Sequence, residues 1–196
     1  MKTLITEFIS LDGVVQAPGG PKEDTDGGFK HGGWSMKYFD PEVMGATYGL
    51  LAEQSDALLQ GRRTYQVSAG AWPDRSGDPF SDWINSTQKY VVSNTLTEAD
   101  ITWNPTTIIR GDDLVQKVTD LRAQPGGYIY VYGSPTMVRS LMADDLVDEL
   151  LLTIEPVVLG GGKRLFADNG EKLEWELVST KAAKTGAQVC HYARVR

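Results

Sequence analysis

Residues 57–65, ALLQGRRTY, read as a buried strand that runs directly into a helix. Gly61 permits a close turn, and RRTYQVSA (62–69) can continue as a helix whose extension Pro73 limits. The first helical amides, around Arg63 and Thr64, have no acceptor inside the helix. With the fixed charges of Arg62 and Arg63 they form a cradle for phosphate oxygens. Two other stretches repeat the organisation. YVVSNTL (90–96) presents Ser93 and Asn94 where an apolar strand ends, and YVYGSPTMV (130–138) presents Gly133 and Ser134 at a helix entrance. Ser134 and Pro135 read there as a helix cap and first-turn pair. Three polar strand exits in an α/β protein can converge on one ligand.

Outward from these exits, TLITEFI (3–9) is a strand ending in SLDG (10–13). A Gly-rich segment from about 14 to 35 is too long for a simple connection and too flexible in composition for a core element, which suggests an active-site flap or surface loop. A helix is expected from Asp40 to about Gln54, strands at 88–94 and 106–111, and a helix from Asp112 or Asp113 to Arg122. YIYVYG (128–133) is a strand followed by a helix that directs Met137, Val138 and Leu141 inward. ELLLTIEPVVL (149–159) is strand-like but interrupted by Pro156, and the chain closes with two antiparallel strands turning near Thr185 and Gly186. That order gives a mixed, mostly parallel α/β sheet flanked by helices, with a C-terminal antiparallel hairpin, in one domain over 1–196.

Composition narrows the function. The 196 residues carry 19 Lys and Arg against 26 Asp and Glu, a net charge of -7, which supplies no electrostatic footprint for nonspecific nucleic-acid binding. No apolar run approaches the roughly 20 residues needed to cross a bilayer as a helix, and the first residues lack a secretory pattern, so the expected location is cytoplasmic. The single cysteine, Cys190, rules out an intrachain disulfide and a multi-cysteine zinc site, and with the latter a zinc-deaminase step. The two histidines, His31 and His191, form no compact metal motif. The GxGxxG turn is absent, and Gly162-Lys163 fails as a phosphate loop because Arg164 stands where Ser or Thr is required.

In their order and spacing, SLDG, LLQGRRTY, VVSNTL, VYGSPTMV, VDELLLTIEPVVLGGGKRLF and the closing strands resemble the dihydrofolate reductase-like superfamily. They are more closely similar to the C-terminal reductase domain of the riboflavin-biosynthesis bifunctional deaminase-reductase. The resemblance spans nearly the whole chain. It implies NADPH as cofactor and hydride transfer to a small conjugated heterocycle, imine or carbonyl. It places Arg62 at the adenosine 2'-phosphate, the amides of Arg63 and Thr64 (after Gly61) at the pyrophosphate, and Ser93 with Asn94 at the adenosine-phosphate end. The same resemblance implies that Gly133, Ser134, Pro135 and Thr136 make the second pyrophosphate contact, although the family commonly has more glycine there. Homodimerisation is also implied.

Two acids are candidates for the reacting end. The SLDG resemblance implies that Asp12 orients the ring or carbonyl being reduced; a turn that Asp12 stabilises is a second role, compatible with the first. Glu155, in EPVVLGGGKRLF (155–166), can accept a ligand hydrogen bond beside three glycines that allow close backbone approach. Lys163 or Arg164 could neutralise a substrate phosphate. Glu42 and Glu53 lie on the first long helix, where dihydrofolate reductases usually carry a substrate-binding carboxylate, but neither sits in that local pattern. Trp34, Trp72 and Trp83 could cover an aromatic ligand or anchor loops, and Cys190 reads as a small core group. The alternatives are a ribosyl-phosphate pyrimidine reductase, a dihydrofolate reductase, and a non-catalytic cofactor- or ligand-binding protein.

Overall fold

In the computed structural model, which describes residues 1–196, the chain opens with β1 (Lys2–Ser10), followed after a long loop by a π-helical turn (Pro41–Gly45) that runs into α1 (Ala46–Glu53), then β2 (Ser55–Gly61) and α2 (Arg62–Ala69). Next come α3 (Pro79–Ser86), β3 (Gln88–Val92), β4 (Thr106–Ile109), α4 (Leu114–Arg122), β5 (Tyr128–Tyr132) and α5 (Pro135–Ala143). The chain closes with β6 (Glu149–Glu155), β7 (Trp175–Ala182) and β8 (Gln188–Arg194). The strands form one eight-stranded sheet in the order β4-β3-β2-β5-β1-β6-β8-β7. Every pair from β4 to β6 is parallel, whereas β8 runs antiparallel between β6 and β7. No helix is long and apolar enough to cross a membrane.

Strand alternation divides the core between the two faces of this sheet. Ile5, Ile9, Leu59, Ile129 and Val131 pack with Leu114 and Val118 of α4 and Val138 and Leu141 of α5. Leu4, Leu58, Val91 and Tyr130 pack on the other side with Leu51 of α1, Tyr65 of α2 and Ile84 of α3. Both faces are covered, which is why the central strands are buried almost end to end.

Two features differ from the sequence reading. Helix α3 goes unassigned there, yet Asp78 caps it by accepting from the Phe80 and Ser81 amides, and Pro79 occupies its first turn. The second concerns the 14–35 loop, which contributes to the core despite its glycines. Val14, Val15, Gln16, Ala17, Trp34 and Ser35 are buried, Val14 bridges to Arg164, and the Trp34 indole donates to the Gln16 carbonyl at 2.8 Å. The ends of the loop are therefore packed against the sheet, and its polar glycine-rich middle lies between two fixed anchors.

Candidate active site

Strands β2 and β5 are neighbours, but α2 leaves β2 toward the face of α1 and α3, while α5 leaves β5 toward the face of α4. Adjacent parallel strands whose helices diverge leave a crevice beyond their carboxyl ends, the favoured ligand site of open α/β sheets. Gly61 and Gly133 lie at its two lips.

The lips are stitched together by side chains. The Gly61 amide donates to Ser134 Oγ at 2.8 Å, and the Ser134 and Thr64 hydroxyls share a hydrogen bond of 2.8 Å. Ser134 does not cap its own helix, contrary to the sequence reading. Its backbone is left-handed (φ 60°, ψ 57°), whereas side-chain capping needs an extended N-cap residue. Gly133 is also left-handed (φ 65°), so two such residues in succession turn β5 into α5. Pro135 has no amide to satisfy, which leaves the first-turn amides of Thr136 and Met137 without helical acceptors.

Val92 pairs with Gly61, so the β3 exit adjoins the same crevice. Ser93 Oγ accepts from the Thr95 and Leu96 amides at 3.1 and 2.9 Å, and Asn94 Oδ1 accepts from the Gly111 amide at 2.7 Å. Their polar atoms thus shape the turn, and Asn94 remains exposed. Arg62 is exposed and bonded only to Gln66 Oε1, at 3.3 Å. Arg63 differs from Arg62. It pairs with Asp24 at 2.6 Å and with Asp26, and Lys163 Nζ contacts the same two carboxylates at 2.6 and 2.8 Å. These loop carboxylates already neutralise the Arg63 and Lys163 side chains, so Arg62 is the cation at the α2 entrance free to meet a ligand phosphate.

On the far side of β1, Asp12 is fully engaged. Oδ1 accepts from the Ser10 hydroxyl and the Leu159 amide, and Oδ2 from the Gly160 amide, at 2.7, 3.0 and 2.9 Å. The Ser10 hydroxyl, with these amides, holds its carboxyl down at about 2. Asp12 thereby clamps the glycine turn, and Arg164 Nε donates to the Asp12 carbonyl. An open cleft of about 530 Å³ lies between this turn and residues 26–31, lined by Gly160–Gly162, Lys163, Phe29 and His31 among others.

Glu155 is completely buried at the end of β6, where Ser35 donates to Oε1 at 2.6 Å and Oε2 has no partner. Burial pushes its carboxyl up to about 7, against the opposing effects of the Ser35 hydrogen bond and the Lys37 charge. Two residues away, Thr153 Oγ1 shares a 2.6 Å hydrogen bond with the Tyr48 hydroxyl from α1. Glu42 instead pairs with Lys184 at the surface.

The sequence reading misses Glu7. It lies in mid-β1, almost wholly buried, with the Gly133 amide facing its carboxyl. A Glu inside the apolar run TLITEFI is the signal that could have singled it out. Of the remaining candidates, Trp72 and Trp83 pack with Phe80 inside the fold. His191 contacts Glu149 at 2.7 Å in a network with Lys2 and Tyr128 near the amino end of β1, and Cys190 is buried.

The model of the RibD C-terminal domain matches residues 2–189. The chain belongs to the RibD C-terminal domain family. Among relatives of this RibD C-terminal domain protein, Bacillus subtilis (strain 168) YyaP, an uncharacterized protein, is 31% identical over 183 residues, covering 91% of this chain and 87% of YyaP. A putative riboflavin biosynthesis protein from Shewanella sp. PV-4 superposes with a TM-score of 0.77 at 23% identity, covering both chains completely. Dihydrofolate reductase from Enterococcus faecalis, complexed with NADP(H) and RAB-propyl, gives a TM-score of 0.58 at 13% identity, covering 100% of this chain and 97% of that one. The RibD C-terminal domain protein thus has the dihydrofolate reductase-like fold.

Proposed function

We propose that the protein is an NADPH-dependent reductase that transfers a hydride to a small conjugated heterocycle, imine or carbonyl. The observation that carries this reading is the crevice between β2 and β5, where a free arginine and two helix entrances meet at a glycine turn. The residues present fit a dinucleotide phosphate there. A Cβ on Gly133 would lie 2.8 Å from Thr64 Cγ2, so only glycine leaves the turn open. Arg62 would hold the 2'-phosphate, the first-turn amides of α2 and α5 the pyrophosphate, and Ser93 and Asn94 the wall beside the adenosine. NADPH supplies the hydride when bound.

The remaining work belongs to the chain. Glu155, protonated below about pH 7, can deliver a proton or a hydrogen bond to the acceptor. Asp12 acts on the substrate wall at one remove, by fixing the Leu159–Gly160 turn. The NADP(H) in the Enterococcus faecalis enzyme supports the cofactor assignment. The reading includes a homodimer, for which the exposed edge strand β7, with Leu177 and Val178 outward, offers a surface.

Equilibrium binding to Arg62→Ala tests the cofactor assignment. NADPH affinity is expected to fall roughly tenfold with NADH affinity unchanged, because a charge-assisted contact to the 2'-phosphate is lost. Unchanged preference for NADPH over NADH would remove Arg62 from this role.

A further inference from the structure

Packing does not account for Glu7. On β1 it alternates with Ile5 and Ile9 and shares their face, the apolar side covered by α4 and α5. Only 5% of it is exposed, and Oε1 has no hydrogen-bond partner. The β1–β5 pairing of Thr6 with Tyr132 brings Gly133 alongside Glu7, and the charged group bearing on the carboxyl is another acid, Glu23 of the 14–35 loop. Glu7 also bears electrostatically on Tyr48 and Tyr130, and neither supplies positive charge. Burial, reinforced by the Glu23 charge, raises the Glu7 carboxyl well above its ordinary range and so favours the neutral, protonated form.

A neutral carboxyl has one O–H to donate. That donor lacks an acceptor in the chain. An unsatisfied buried polar group works against folding, and an apolar residue like its neighbours Ile5 and Ile9 would avoid the cost. Its position suggests why an acid is there: it lies directly behind the Gly133–Ser134 turn at the α5 entrance.

From this placement we infer that Glu7 is a binding group of the crevice, donating a hydrogen bond to an acceptor oxygen of the bound dinucleotide. The inference rests on the NADPH reading above. The acceptor is either a pyrophosphate oxygen or the carboxamide oxygen of the nicotinamide.

The test measures binding of NADPH and of 2'-phospho-ADP-ribose, which keeps the pyrophosphate but lacks the nicotinamide. The full chain is compared with Glu7→Gln and Glu7→Met, alongside thermal melts. Glu7→Met is expected to weaken NADPH binding roughly tenfold or more while melting at or above wild type, since it removes the unpartnered group. Glu7→Gln, which keeps a donor and an acceptor without charge, is expected to stay within about threefold of wild type. Loss for both ligands places the bond at the pyrophosphate; loss for NADPH alone places it at the carboxamide. Unchanged NADPH binding by Glu7→Met overturns the assignment. So does a Met variant that fails to fold, which would show that packing needs the acid. Wild type that does not bind NADPH overturns the dinucleotide reading, and the role of Glu7 with it.

Discussion

Glu155→Gln is expected to lower turnover by about two orders of magnitude, the lower range for losing a positioned general acid. The test is NADPH oxidation with an acceptor found by turnover screening. In wild type the rate should fall as pH rises through about 7, where the buried carboxyl gives up its proton, and that limb should vanish in the variant. Stability provides a second readout independent of any substrate. The folded-state value, about 7, lies above the ordinary 4.5, so between these limits the folded protein holds a proton that the unfolded chain has released. Stability conferred by the protonated form is therefore complete below about 4.5 and is lost as pH rises toward 7. The loss is on the order of 3 kcal/mol at 1.36 kcal/mol per unit. Glutamine cannot ionise but can still accept from the Ser35 hydroxyl, so Glu155→Gln should gain stability over wild type at pH 8. Unaltered turnover with an unaltered pH profile would exclude Glu155 from proton delivery.

The end of β6 near Glu155 was legible in the sequence because Pro156 interrupts the apolar run there. The α2 entrance was legible too, because a strand, a glycine and a helix are consecutive in the chain. Contacts between distant segments were not. Asp24 and Asp26 meet Arg63 and Lys163 only after the loop folds back, so no local pattern shows that these cations are already paired. The role of Ser134 was hidden too, because its hydroxyl serves a glycine 73 residues earlier in the chain. The bonds from the Leu159 and Gly160 amides to Asp12 were hidden as well, since they join segments far apart in the chain. The 14–35 segment misled by composition, since its many glycines mask the buried residues that anchor both ends.

The crevice depends most on Gly133, and Gly133→Ala should damage fold and binding together. The residue sits at φ 65°, where an L side chain is strained by roughly 1–2 kcal/mol. Its new Cβ would also lie 2.8 Å from both Thr64 Cγ2 and Thr64 Oγ1. Thr64 cannot easily swing aside, because it is β-branched and its hydroxyl is bonded to Ser134, which in turn receives the Gly61 amide. The strain therefore passes to the spacing of the two helix entrances. A loss of about 2 kcal/mol or more corresponds to a melting temperature lowered by roughly 4–8 °C for a domain of this size. NADPH binding should weaken by at least about tenfold, the counterpart of 1.4 kcal/mol. Gly170→Ala isolates the backbone component, since Gly170 has φ 75° and nothing within 4 Å of its added Cβ. Its expected cost is the dihedral strain alone, with binding intact. Adding Thr64→Ala to Gly133→Ala removes both crowding atoms and should recover part of the lost melting temperature. If Gly133→Ala melts like Gly170→Ala and still binds NADPH with wild-type affinity, the turn between β5 and α5 is not the point on which the two lips of the crevice are spaced.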